Sequence, residues 1–196
     1  GKISGEDHPF VEAFEFVRDH VSDGTQVKRT IPAPAQFLEE FLRPENQENL
    51  KEIYPNLDDF DHDVAAAYHQ VIEELYAAGC RTLQLDDCTW GISVNNFANL
   101  KKKDPNADTS QLVALQERFL KVNNAAIADL PDDLTINTHV CRGNYHSTWA
   151  AAGGYGPVAD TLFAQENVKA FYLEYDSERA GGFEPLAKVP DEKYVV

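Results

Sequence analysis

The sequence predicts an α/β fold on a parallel sheet, either an open doubly wound sheet or a (βα)8 barrel. Two observations lead there. Segments of helical periodicity alternate along the chain with short apolar runs that end in polar residues, and right-handed crossovers between parallel strands are how such alternation packs. No Gly-x-Gly-x-x-Gly follows any of the strands, so dinucleotide binding is without support.

The elements follow in order. Phe10, Phe14, Val17 and Val21 recur at helical spacing, with Pro9 suited to a first turn and Gly24 to a stop. In QVKRTIPAP, residues 26–34, the β-branched Val27 and Ile31 predict a strand, and two prolines predict that a loop follows. DFDHDVAAAYHQVIEELYAAG, residues 59–79, carries an apolar stripe of Val64, Tyr68, Val71, Ile72 and Leu75; Asp61 or Asp63 is placed to cap it and Gly79 to end it. CRTLQLDD, residues 80–87, reads as a buried strand closing on two aspartates. Asp108 with Gln111 offers a capping box for a helix through Leu112, Leu115, Phe119 and Leu120, and the strand LTINTHVC follows. A shorter helix near 156–164 precedes the strand VKAFYLEYD, and FEPLAK before KYVV begins a further round.

Composition limits the function classes. The chain of 196 residues is 43% apolar and 26% charged, as expected of one globular domain. With 17 Lys and Arg against 33 Asp and Glu, its net charge of −16 repels phosphate backbones and anionic lipid, and the run Lys101-Lys102-Lys103 is too short to reverse that. Nucleic acid and membrane are therefore not expected partners. Nothing approaches the roughly 20 apolar residues of a membrane span, and GKISGEDHPF has no signal pattern, so the expected location is cytoplasmic. Three cysteines at no framework spacing fit a reducing compartment. The absence of methionine, even an initiator, fits a fragment, a trimmed chain or a sequence with some residues unrecorded.

Chemistry-bearing residues fall at the strand ends, which form the active face in both candidate folds. Asp86 and Asp87 end one strand, His139 and Cys141 the next, Glu174 and Asp176 the third. On a strand, side chains two apart share a face about 6 to 7 Å from one another, so His139 and Cys141 can reach one ion. Imidazole and thiolate are ligands that zinc prefers, and Glu174 adds a carboxylate. Taken alone, a His-x-Cys pair is more often strand filler than a metal site. Neighbours in a strand face opposite sides, so one of Asp86 and Asp87 points away from any shared site. The acidic group Asp58, Asp59, Asp61 and Asp63 lacks calcium-loop spacing and suits a helix start. Cys80 reads as packing, the glycines of AAGGYGP as a turn, and Cys88 as a neighbour of the site rather than a ligand.

LQLDDCTWG, INTHVCRGNYHSTW and FYLEYDSERAGGFEPL, together with KRTIPAP, resemble the cobalamin-independent methionine synthase family, in particular its short branch consisting of the catalytic domain alone. The likeness runs along nearly the whole chain in the right order. It implies a (βα)8 TIM barrel, here incomplete at about five βα units. The implied activity transfers a methyl group to the thiol of homocysteine to form methionine. The implied cofactor is zinc held by His139, Cys141, Glu174 and a later cysteine, with Asp86 gripping the substrate's amino group and Asp87 in a less defined substrate-binding role. The implied partners are the small-molecule thiol and a methyl donor, a methylated folate among the candidates, although −16 suits a polyglutamylated folate poorly. The fourth zinc ligand and a proton-donating histidine of the family are expected beyond KYVV, so the fragment alone is expected to fall short of activity. Open sheet edges invite self-association. Two other readings stand beside this one: another zinc-dependent thiol alkyltransferase or decarboxylase-like relative of the same barrel superfamily, and a non-catalytic remnant.

Overall fold

Parallel strands in unbroken sequential order organise the chain. The computed structural model describes residues 1–196. Its strands are β1 (Arg29–Pro32), β2 (Thr82–Asp87), β3 (Thr135–Val140), β4 (Ala170–Leu173) and β5 (Tyr194–Val195). They form one sheet in the order β1-β2-β3-β4-β5, and every neighbouring pair is parallel. A doubly wound sheet reverses its order at a switch point, whereas a barrel advances one strand in the same direction at each crossover. The sheet is therefore five strands of an incomplete (βα)8 barrel, the one of the two candidate folds that the family resemblance implies.

Helices cover one face. α1 (Pro9–His20) precedes the sheet; α2 (Pro34–Leu42), α3 (Gln47–Ile53) and α4 (Leu57–Ala77) link β1 to β2. α5 (Thr89–Lys103) and α6 (Ser110–Ala126) link β2 to β3, and the short α7 (Gly156–Ala159) and α8 (Leu162–Gln165) link β3 to β4. Two 3-10 turns, Glu178–Ala180 and Glu184–Lys188, complete the last crossover. Alternate residues Leu83 and Leu85 of β2, and Ile136 and Val140 of β3, are buried against Phe60, Val64, Ile72, Leu75, Phe119 and Phe163. Gln84, Asp86, His139 and Tyr172 are half-buried on the other face. No helix is long and apolar enough to cross a membrane.

The local departures from expectation have physical causes. Pro34 starts α2 instead of a loop, because a first-turn residue needs no amide donor and a proline φ is already helical. Its next amide, Ala35 N, donates to Asn123 Oδ1 of α6 at 2.8 Å, a cap supplied from 88 positions away. Asn56, not Asp61 or Asp63, caps α4 by accepting Asp58 N at 3.1 Å. Asp61 instead takes both Nε and Nη2 of Arg118 at 2.6 Å, while Asp63 accepts the Tyr54 hydroxyl at 3.0 Å. Gly79 does end α4: its φ of +100° supports bonds from Gly79 N to Tyr76 O and from Cys80 N to Leu75 O, both 2.9 Å. Asp108 accepts Ser110 N at 2.9 Å, although the N-cap residue proper, Thr109, makes no side-chain bond. The helix expected over 156–164 is two short helices, and β4 stops at Leu173, one residue before Glu174.

α5 was not anticipated from the sequence. Its stripe of Trp90, Val94 and Phe97 is buried, and Lys101, Lys102 and Lys103 occupy the last turn, where cations favour the helix dipole.

One polar node lies between the sheet and the helices. Asn123, fully buried, donates through Nδ2 to Asp87 Oδ2 and to Glu166 Oε1, each at 2.9 Å. Burial first, and then the charge of Asp87, push the Glu166 carboxyl from 4.5 up to about 8. An acid with a higher pKa folded than unfolded lends stability that is fully present below its unfolded value and is lost as pH rises through its folded value. The relevant window thus runs from 4.5 to about 8. Glu166→Gln is expected to flatten the decline of the urea midpoint across that window and to raise the midpoint at its alkaline end. An unaltered pH profile in the variant would show that Glu166 does not carry the proton.

Candidate metal centre

Three ligand-type residues converge at the carboxyl ends of β3 and β4. His139 is the penultimate residue of β3, Cys141 follows its last, and Glu174 follows β4. One ligand atom from each lies within 4.8 Å of the other two. His139 Nε2 stands 3.6 Å from Glu174 Oε1. The other ring nitrogen, Nδ1, is 3.2 Å from the carbonyl oxygen of Tyr172, to which it can only donate, so Nε2 is the ring nitrogen that faces Glu174.

The sulfur of Cys141 is surrounded by donors. Gly143 N donates to it at 3.2 Å, and the neighbouring Cys88 and His139 side chains hold it far below the ordinary thiol value, at about 4. The same contact pushes Cys88 up and, from the other side, raises His139. Two glycines make this packing feasible. Gly143 turns at φ +83°, where a Cβ would stand 2.8 Å from Ala150 N; at Gly91 a Cβ would come within 2.5 Å of Cys141 O, so only glycine lets α5 approach that closely.

The structure separates the two aspartates, as alternation in a strand requires. Asp86 pairs in register with His139 and shares its face; Oδ1 accepts Gln84 Nε2 at 2.7 Å. Asp87 faces the helices, fully buried, and accepts both N and Oγ1 of Thr89 besides Asn123. Asp86 therefore shares the face of His139, and Asp87 does not. Cys80 is packed in the core, while Cys88 lies beside Cys141. Arg142, although next to Cys141, turns inward over the Tyr155 ring and donates to Gly153 O at 2.8 Å.

Arg179 was missed in the sequence. Its Nη2 lies 3.2 Å from Glu174 Oε2 and 3.0 Å from Asp176 Oδ1, and its guanidinium sits over the Trp149 ring. A cavity of about 750 Å³ opens beside these residues, lined by Gly143, Thr148, Trp149, Glu174, Tyr175 and Arg179 among others. No sequence pattern marks an arginine five positions after Glu174; its contact with that carboxylate is visible only through the turn that folds it back.

No family model matches the chain. Two Bacillus subtilis (strain 168) proteins, YxjG and YxjH, both described as uncharacterized, are 40% and 39% identical over 190 and 186 residues. The matches cover 96% and 95% of this chain but 48% and 47% of those proteins, so the chain spans about half the length of the curated relatives it matches. Among solved structures, a provisionally named vitamin-B12-independent methionine synthase from Listeria monocytogenes superposes with a TM-score of 0.72 at 32% identity, covering 100% of this chain and 52% of that one. A B12-independent methionine synthase from Shewanella sp. W3-18-1, in complex with selenomethionine, has a TM-score of 0.62 at 17% identity over 95% of this chain and 48% of its own; at that identity the likeness speaks to the fold. A methyltransferase from Methanosarcina mazei, with a TM-score of 0.52 at 11% identity over 95% of this chain and 46% of its own, likewise shares the fold.

The low value of Cys141 has a direct consequence. In metal-free protein at pH 6, iodoacetamide is expected to modify Cys141 well before Cys80 or Cys88, as read by peptide mass spectrometry. Equal labelling of the three would contradict the hydrogen-bonded thiolate.

Proposed function

We propose, on the premise of kinship with the cobalamin-independent methionine synthases, that this chain carries the substrate and metal face of a zinc-dependent methyltransferase acting on the thiol of homocysteine. The observation that supports it best is the convergence of His139, Cys141 and Glu174 from two adjacent strand ends, with Asp86 on the same face.

The donor set suits zinc: an imidazole whose Nδ1 is taken by the Tyr172 carbonyl so that Nε2 faces the site, a thiol held well below its ordinary pKa by its neighbours, and a carboxylate oxygen. When bound, zinc supplies Lewis acidity that lowers the pKa of a joining thiol from its ordinary value of about 8.5. The chain's own residues do the rest of the positioning. The Tyr172 carbonyl fixes the tautomer of His139, and Gly143 N and the Cys88 thiol orient the Cys141 sulfur. Asp86, half-buried one strand away, presents a carboxylate to the ammonium of an amino-acid substrate. The cavity beside Glu174 and Trp149 offers room for a methyl donor facing the substrate sulfur. In the family the fourth zinc ligand is a later cysteine. Cys80 lies in the core and Cys88 is engaged with Cys141, so this chain supplies three donors.

A second reading, thiol alkyl transfer from a donor other than a folate, is favoured by the net charge of −16, which repels a polyglutamate tail.

The test uses the full-length protein. Near-stoichiometric zinc is expected by elemental analysis, with at least a tenfold loss of affinity on Cys141→Ser, together with methionine formation from homocysteine. Asp86→Asn is expected to keep its zinc and lose about 10- to 100-fold in kcat/KM for homocysteine, as removal of a charged hydrogen-bond partner does. Comparing mono- and triglutamyl methyltetrahydrofolate with simple methyl donors separates the two readings. Zinc-free wild-type protein would rule out both.

A further inference from the structure

We infer that Arg179 is the positioning residue that makes Glu174 a one-oxygen metal ligand. The inference rests on the zinc reading above and concerns how this chain prepares its carboxylate. The two oxygens of Glu174 are divided between different neighbours: Oε1 faces His139 Nε2 at 3.6 Å, and Oε2 is taken by Arg179 Nη2 at 3.2 Å. A carboxylate free on both oxygens can swing to bind a metal through either or both, whereas one whose second oxygen is held by a guanidinium presents the first alone.

Arg179 is itself held on several sides. Its side chain is only 15% exposed, and its guanidinium lies 5.2 Å from the centre of the Trp149 ring. Asp176 Oδ1 accepts from the same Nη2 at 3.0 Å. Its backbone belongs to the 3-10 turn Glu178–Ala180, and its carbonyl accepts Gly153 N at 2.8 Å, which ties the turn to the loop after β3. Gly181, at φ +74°, then carries the chain away where a Cβ would stand 2.8 Å from Gly154 Cα. The guanidinium is thus fixed by the β3 loop on one side and by the β4 turn on the other, the two segments that also carry the ligands.

Both carboxylate bonds leave from one nitrogen. An ammonium, with three donors on a single nitrogen, can therefore replace the guanidinium at Glu174 and Asp176, although it cannot stack on Trp149.

The experiment compares the full-length wild type with Arg179→Met and Arg179→Lys, each titrated with Zn²⁺ alone against a chromophoric chelator and loaded with Co²⁺ alone for visible spectroscopy. Arg179→Met is expected to lose about 10- to 100-fold in Zn²⁺ affinity, the usual cost of removing a group that orients a ligand. Its Co²⁺ absorption between 500 and 700 nm is expected to fall to about half or less as the freed oxygen adds to the coordination. Arg179→Lys is expected to keep the wild-type spectrum and to stay within about threefold in affinity. A folding defect would lower both variants' thermal midpoints without restoring the spectrum in the lysine variant, and that outcome counts against positioning. An Arg179→Met protein with wild-type affinity and spectrum overturns the inference while leaving the zinc reading intact. A wild type that takes up neither metal overturns both.

Discussion

Parallel register between β2, β3 and β4 is the constraint on which the site depends. Asp86 of β2 lies beside His139 of β3, which lies beside Tyr172 of β4, so three strands present these residues in one row on one face. Because side chains alternate, a slip of one residue in β3 would drive His139 and Cys141 into the helix layer and bring Val140 out. Burial of Leu83, Leu85, Ile136 and Val140 on the opposite face opposes that slip. At the strand ends, Thr135 N bonds Arg81 O at 3.0 Å and Cys141 N bonds Asp87 O at 3.2 Å, extending the pairing to Cys141 itself.

The dipeptide Asp86-Asp87 puts one residue to each purpose. Asp86 faces the site, half-exposed. Asp87 looks the other way, where a fully buried carboxylate is tolerated only with partners. Thr89 supplies two of them at the start of α5, and Asn123 supplies a third from α6. Asn123 also caps Ala35 at the start of α2 and holds Glu166 ahead of β4. The packing of three crossover connections thus converges directly behind the strand whose front carries Asp86.

Features set by local spacing were legible in the sequence; those set by distant partners were not. Alternating helix and strand signals carried the fold class, since each depends on residues within a turn or two. His139 and Cys141 stood out because a spacing of two on a strand fixes their common face, and Glu174 because it closes the next strand. The start of α2 was hidden, since its capping oxygen belongs to Asn123. α5 was obscured by the glycine and serine inside LQLDDCTWGIS, although Trp90, Val94 and Phe97 do keep helical spacing. The contact of Cys88 with Cys141 depends on the register that places Asp87 beside Val140, and the grip of Arg179 on Glu174 depends on a turn closed by a backbone bond to Gly153. Neither can be read from one segment alone.

The sequential strand order also bears on how the molecule comes into being. Each strand pairs with the one synthesised immediately before it, yet partners such as Arg29 and Leu83 stand far apart in sequence, so every pairing closes a long loop through its crossover helices. As the chain leaves the ribosome, β2 can dock on β1 with α4 already formed behind it, and β3 follows once α5 and α6 are out. His139 and Cys141 are then in place while Glu174 is still unmade. The cluster of His139, Cys141 and Glu174 is completed by its last member, after the strands that frame it have been laid down.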